Sequence, residues 1–107
     1  MTVYEQRTYS VTVGRMSEVI RLFTDDGWPA LEAAGGEKHL VGAFVSDTGR
    51  LHQLIHLFRF DSDFDRREFR QRLNADEAFI AFAEQVRPLL QMQEIQLLVS
   101  APWGPTP

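Results

Sequence analysis

A chain of 107 residues, 44% hydrophobic and 24% charged, has the size and composition of one soluble globular domain with a single core. Its net charge of −4 argues against broad nucleic-acid binding and weakens attachment to anionic membranes. The lack of cysteine excludes disulfides, thiolate metal sites and cysteine nucleophiles. With no signal-peptide core and no apolar run of about 20 residues, the expected location is cytoplasmic.

Val3, Glu5, Arg7, Tyr9, Val11 and Val13 alternate with Thr2, Tyr4, Gln6, Thr8, Ser10 and Thr12. The density of β-branched and aromatic side chains predicts a first strand ending at Gly14. Glu5 and Arg7 lie on its mostly apolar face. They read as an ion pair or rim contacts; alternatively, Arg7 and Tyr9 aim polar groups into a pocket. Met16, Val19, Ile20 and Phe23 then share one helical face. Gly27-Trp28-Pro29 interrupts that helix, and Pro29 either kinks it or starts a second piece ending near Ala34. Trp28 reads as a core or interface aromatic.

His39 to Ser46 is a second strand, in which Gly42 permits close packing or a bulge. Asp47-Thr48-Gly49 is a hairpin-type turn, with Gly49 supplying a positive φ. The third strand is expected over Gly49 to Phe60, antiparallel to the second. Leu51, Gln53, Ile55, Leu57 and Arg59 occupy one face, and His52, Leu54, His56, Phe58 and Phe60 the other. Neither face is polar, so both need cover.

Ser62 and Asp65 mark a helix N-terminus. Phe64, Phe69 and Leu73 give that helix an apolar side. Arg66, Arg67, Arg70 and Arg72 alternate with Asp63, Asp65 and Glu68, which reads as a solvated charged face rather than an anion site. Asn74-Ala75-Asp76 is a break and a new cap. Phe79, Phe82, Ala83 and Val86 form a second apolar stripe that stops before Pro88. A last strand is expected over Met92 to Ala101. Residues 102–107 form a proline-rich tail, whose Trp103 is expected to pack on the domain or on a partner.

Strand, helix, strand, strand, split helix, strand is the ferredoxin-like βαββαβ plan. The fold class is therefore α+β: a four-stranded antiparallel sheet with helices on one face. The uncovered face points to a homodimer, or higher homo-oligomer, in which two sheets close into a dimeric α+β barrel.

Several segments also look familiar: Tyr4-Glu5-Gln6-Arg7-Thr8-Tyr9, Leu40-Val41-Gly42, Gly49 through Phe60, Arg87-Pro88-Leu89-Leu90 and Pro102-Trp103. Taken together, the chain resembles the NIPSNAP family of the dimeric α+β barrel superfamily over nearly its whole length, residues 1–107 as a single domain. Two positions depart, since relatives often carry Asn where His52 stands and Trp where Phe58 stands. The resemblance implies the ferredoxin-like fold and dimerisation. It implies no settled biochemical role.

The candidate chemistry is narrow. On one strand, His52 and His56 would have Cα atoms roughly 13 Å apart, at about 3.3 Å per residue, so they cannot share a metal. No metal site is assigned. No Gly-x-Ser-x-Gly elbow or phosphate loop is present. His56 is the candidate catalytic residue, in acid–base or cofactor-independent, oxygenase-like chemistry. Tyr4, Arg7, Tyr9, Leu54 and Phe58 are the candidate ligand-binding residues around it. No cofactor is expected; haem, which needs one axial His, is the alternative, by analogy with relatives in the wider superfamily. Two function readings stand. One is binding or conversion of a small hydrophobic molecule in a cleft between sheet and helices. The other is a non-catalytic homo-oligomeric interaction module with structural histidines.

Overall fold

The computed structural model describes residues 1–107. Strand β1 (Val3–Val11) leads into α1 (Met16–Leu22), a π-turn over Phe23–Gly27, and α2 (Trp28–Ala33). Strands β2 (Leu40–Val45) and β3 (Gln53–Phe60) follow, then α3 (Asp63–Asn74), α4 (Glu77–Val86) and β4 (Leu90–Leu98). The sheet order is β2-β3-β1-β4, and every pairing is antiparallel. This is the ferredoxin-like arrangement, with β1 and β3 as the central pair. No helix is long and apolar enough to cross a membrane.

Local chemistry sets the element ends. Ser62 Oγ accepts from the Asp65 backbone N–H at 3.1 Å, and Asp76 Oδ2 accepts from that of Phe79 at 3.0 Å, so each side chain satisfies a free donor of its helix. Gly49 has φ 73°, as a hairpin turn requires. The β2–β3 register shifts between Leu40 and Gly42, where the ring of Phe44 lies over the glycine; an added Cβ at Gly42 would come within 2.6 Å of Phe44 Cζ.

The interruption at Gly27-Trp28-Pro29 takes a specific form. The helix widens by a π-turn, a common device at functional sites, and restarts with Pro29 in its first turn, where a missing N–H costs little. A Cβ at Gly27 would stand 2.6 Å from Phe82 Cζ, so α4 can approach the turn only because this residue is glycine. The close approach brings the rings of Phe23 and Phe82 to 4.7 Å.

Four expectations are corrected. The third strand starts at Gln53, not Gly49. His52 precedes it in a left-handed conformation, φ 61°, and the loop closes through Ser46 Oγ, which accepts from the Gln53 backbone N–H. The two histidines therefore do not share a strand at all. The last strand begins and ends earlier than Met92 to Ala101. Phe64 is exposed rather than part of the apolar side of α3. Trp103 is 89% exposed and does not pack on the domain, although the tail crosses the sheet at Tyr4, whose hydroxyl donates to the Pro107 carbonyl at 2.8 Å.

The helices cover one sheet face with two separate apolar clusters. Val11, Val19, Leu22, Leu54, Phe82, Val86 and Leu89 form one; Leu31, Phe58, Phe60, Phe69 and Leu73 form the other. Phe79 packs against both. His56 lies on β3 between Leu54 of the first cluster and Phe58 of the second.

Candidate functional site

The central strand pairing builds the site. Antiparallel register sets Arg7 opposite His56, Glu5 opposite Phe58, and Tyr9 opposite Leu54, all on the face beneath the helices. A cleft of ≈ 320 Å³ opens there, lined by Arg7, Tyr9 and His56 from the sheet and Phe23, Arg70, Phe79 and Phe82 from the helical layer. A second, more apolar cavity of ≈ 320 Å³ meets the first at Phe23, Leu31 and His56, and extends past Trp28, Leu40 and Leu54. His56 therefore stands where the two spaces meet.

His56 is 5% exposed and held by rings on three sides: Phe23 at 5.2 Å, Tyr9 at 5.8 Å and Phe58 at 6.0 Å between centroids, all near edge-on. Its imidazole makes no hydrogen bond to the protein. No buried side-chain nitrogen or oxygen is left without a partner, so the imidazole nitrogens open into the cavities rather than into packed core. Burial, then the positive charges of Arg7 and Arg70, lower its pKa from 6.5 to about 4. It is neutral at neutral pH.

Beside it lies a buried ionic cluster. Glu5 is 0% exposed. Its Oε1 accepts from Arg7 Nη1 at 3.1 Å and from Arg70 Nε at 3.1 Å as well as Arg70 Nη2; its Oε2 accepts from Arg66 Nη1 at 2.9 Å. Burial pushes the Glu5 carboxyl up, but the guanidinium groups of Arg70, Arg7 and Arg66 outweigh it and hold the carboxyl below its ordinary range. Arg70 stacks over Phe58 at 4.6 Å; burial and the neighbouring Arg7 lower its pKa. Arg66 is closed off from outside by Asp63 Oδ1, which accepts from its Nε at 2.8 Å. Arg7 also donates from Nε to the Tyr9 hydroxyl at 3.0 Å, leaving the Tyr9 O–H free to donate elsewhere.

The candidate residues thus divide. Arg7, Tyr9, His56 and Phe58 meet in the first cleft. Leu54 is core and lines only the second cavity. Tyr4 is on the opposite sheet face, under the tail, because its position in β1 has the other parity from Arg7 and Tyr9. The solvated reading of the α3 arginines holds for Arg67 and Arg72 but fails for Arg66 and Arg70, whose side chains are each 15% exposed. The missed signal is spacing: Arg66, Phe69, Arg70 and Leu73 fall at i, i+3, i+4 and i+7, on the buried stripe. Phe23 and Phe79 were legible as apolar helix positions but not as cleft walls. His39 has a structural place, stacked on Phe60 at 4.6 Å. No group of three His, Asp or Glu side chains is gathered closely enough to hold a metal ion.

Comparison with known proteins adds an independent view. The NIPSNAP family model matches residues 4–105. A NIPSNAP family protein of Agrobacterium tumefaciens is 30% identical, with TM-score 0.88 over 96% of this chain and 89% of that one. A second protein from that organism, described as a NIPSNAP family protein with unknown function, is 31% identical, with TM-score 0.89 over 97% of this chain and 92% of that one. A NIPSNAP domain protein of Burkholderia xenovorans is 30% identical, with TM-score 0.87 over 97% and 99% of the two chains. A Nitrosomonas europaea protein provisionally named an antibiotic biosynthesis monooxygenase shares the fold alone, at 6% identity and TM-score 0.66 over 95% and 92%. No curated protein matches the chain.

Proposed function

Since this chain belongs to the NIPSNAP family, with a match across residues 4–105, we propose that it binds a small hydrophobic molecule in the cleft between sheet and helices. One observation carries the reading. A buried histidine with no hydrogen bond to the protein faces an open cleft walled by aromatic rings. A histidine serving only the core would be satisfied by backbone or by Tyr9. An imidazole whose pKa is held at about 4 is a weak base at neutral pH, so its first role is to orient a ligand as a neutral hydrogen-bonding group. The reading assigns no resident cofactor.

The test is a thermal-shift screen of small hydrophobic and aromatic compounds, with haem as one arm, repeated on His56→Ala. A ligand at about 100 times its Kd adds about 2.7 kcal/mol, which raises Tm by roughly 10 °C or more for a domain this size. The variant is expected to lose at least about tenfold in affinity, the value of a good hydrogen bond or two. Unchanged affinity in a destabilised His56→Ala protein would count against any role for His56 beyond packing.

A second copy of the chain is the expected cover for the open sheet face. Phe44, Ile55, Leu57 and Leu98 lie on that face by register, and Phe44 is 56% exposed. Sedimentation at micromolar concentration is expected to give a dimer that Phe44→Glu dissociates. A monomeric wild type removes this part of the proposal.

A further inference from the structure

We infer that the ligand of this cleft is a hydrophobic monocarboxylate, its head group seated between Arg7, Arg70 and the Tyr9 hydroxyl and its apolar body lying against Phe23 and Phe79. The inference rests on the reading of the cleft as a ligand site and specifies the chemistry of the ligand.

The charge balance is the first ground. Three guanidinium groups converge on the single carboxylate of Glu5. Asp63 serves Arg66 from outside. Arg7 and Arg70 have only Glu5 between them, and both line the cleft. Buried charge without a partner is costly, so a site with two cations and one anion is short by one negative charge. A monoanion supplies it. Arg87 also lines the cleft, but it is exposed, where solvent screens its charge.

The free donors are the second ground. The hydrogen bonds within the protein use Nε and Nη1 of Arg7, and Nε and Nη2 of Arg70. Nη2 of Arg7 and Nη1 of Arg70 remain. Neither is a buried orphan, so both reach accessible space, and the cleft is the space these residues line. The Tyr9 hydroxyl accepts from Arg7 and keeps its own proton to donate. Two guanidinium arms and one hydroxyl match the acceptor-only oxygens of a carboxylate. Most of the remaining lining is aromatic or aliphatic, which suits an apolar body and not a bare ion.

The carboxylate would also act on His56. Arg7 and Arg70 are the charges that depress its basicity, after burial. An anion seated between them offsets that push, so the imidazole is more basic with an acid in the cleft than with a neutral ligand of the same shape. Glu5, Tyr9, Arg66 and Arg87 are the other ionisable groups around this pair; Glu5 is already fully engaged and Arg66 is paired with Glu5 and Asp63.

The experiment compares matched acid and amide probes on the full chain: 3-phenylpropanoate with 3-phenylpropanamide, and octanoate with octanamide. Binding is measured by calorimetry, with the His56 ring resonances followed by NMR across a pH titration. The acids are expected to bind at least about tenfold more tightly than the amides, the usual value of a charge-assisted pair. The His56 pKa is expected to be higher with an acid bound than with the matching amide. Tyr9→Phe, which takes the hydroxyl acceptor from Arg7 Nε but keeps the arginine–Glu5 pairs, is expected to weaken the acids several-fold and spare the amides. Amides that bind as well as acids overturn the carboxylate assignment while leaving a hydrophobic cleft in place. Inorganic phosphate that binds as tightly as the acids overturns the apolar half. If no probe binds and the His56 resonances never move, both this inference and the proposed function fall.

Discussion

Glu5→Gln is expected to lower the free energy of unfolding by about 3–5 kcal/mol. The substitution keeps the shape and removes the charge. Three guanidinium groups, with side chains 13% to 15% exposed, would then face a neutral amide in a site that excludes most water. Arginine does not escape by releasing its proton. The amide NH2 would also present donors to donors. Against a total stability of about 5–15 kcal/mol for a domain, such a loss leaves a protein close to its unfolding threshold. Urea denaturation monitored by circular dichroism measures it. Arg67→Gln breaks an ion pair to Asp63 at the surface and serves as the control, with no measurable change expected. A Glu5→Gln protein as stable as that control would show that the arginines find water or each other tolerable, and the cluster would lose its structural weight.

The second large effect is acid sensitivity above the usual carboxylate range. The unfolded chain takes up a proton at His56 near pH 6.5, while the folded chain does so only near 4. Between those values the unfolded state holds more protons, so lowering the pH favours unfolding. Stability from this group is complete above pH 6.5 and falls by roughly 3 kcal/mol by pH 4, at 1.36 kcal/mol per unit. Glu5 acts lower down: its carboxyl is held below the ordinary range, so its contribution persists at pH 4 and disappears as the pH falls through its own folded value. The groups facing His56 from the neighbouring elements are Arg7 and Tyr9 on β1 and Arg70 on α3. Denaturation midpoints measured down this pH range on wild type and His56→Gln check the effect. The wild type is expected to weaken steadily and the variant to stay level. Parallel curves would mean that His56 is more readily charged in the fold than its surroundings allow.

The fold was legible where local chemistry and periodicity agreed. Ser62 and Asp76 cap helices as their spacing implies, Gly49 turns the hairpin, and Gly42 marks the irregular register of β2. The start of β3 was not legible, because Leu51 and His52 continue the alternation of the strand while belonging to the loop. Nothing in periodicity distinguishes a strand residue from a left-handed one beside it. The site was half legible. Arg7, Tyr9, His56 and Phe58 could be grouped from strand order, since β1 and β3 are the central pair. Tyr4 shares the strand of Arg7 and Tyr9 but has the other parity, so strand order alone groups it with a face it does not occupy. Arg66 and Arg70 were misread because their partner Glu5 lies 61 and 65 residues away in the chain. Charges interleaved along a helix look solvated until tertiary pairing shows which of them turn inward.

The sheet order has a kinetic consequence. β1 is the first strand in the chain, yet it sits between β3 and β4, so that Tyr4 pairs with Arg59 on one side and Leu98 on the other. Such distant pairing is slow to find, because long loops must close before any contact rewards them. The Glu5 cluster needs β1 on the sheet and α3 folded over it. No fragment that lacks the first ten residues can assemble Arg7, Tyr9 and His56 together. During synthesis the emerging chain therefore carries no complete cleft until α4 and β4 have left the ribosome, and Glu5 waits for Arg66 and Arg70, which are made long after it.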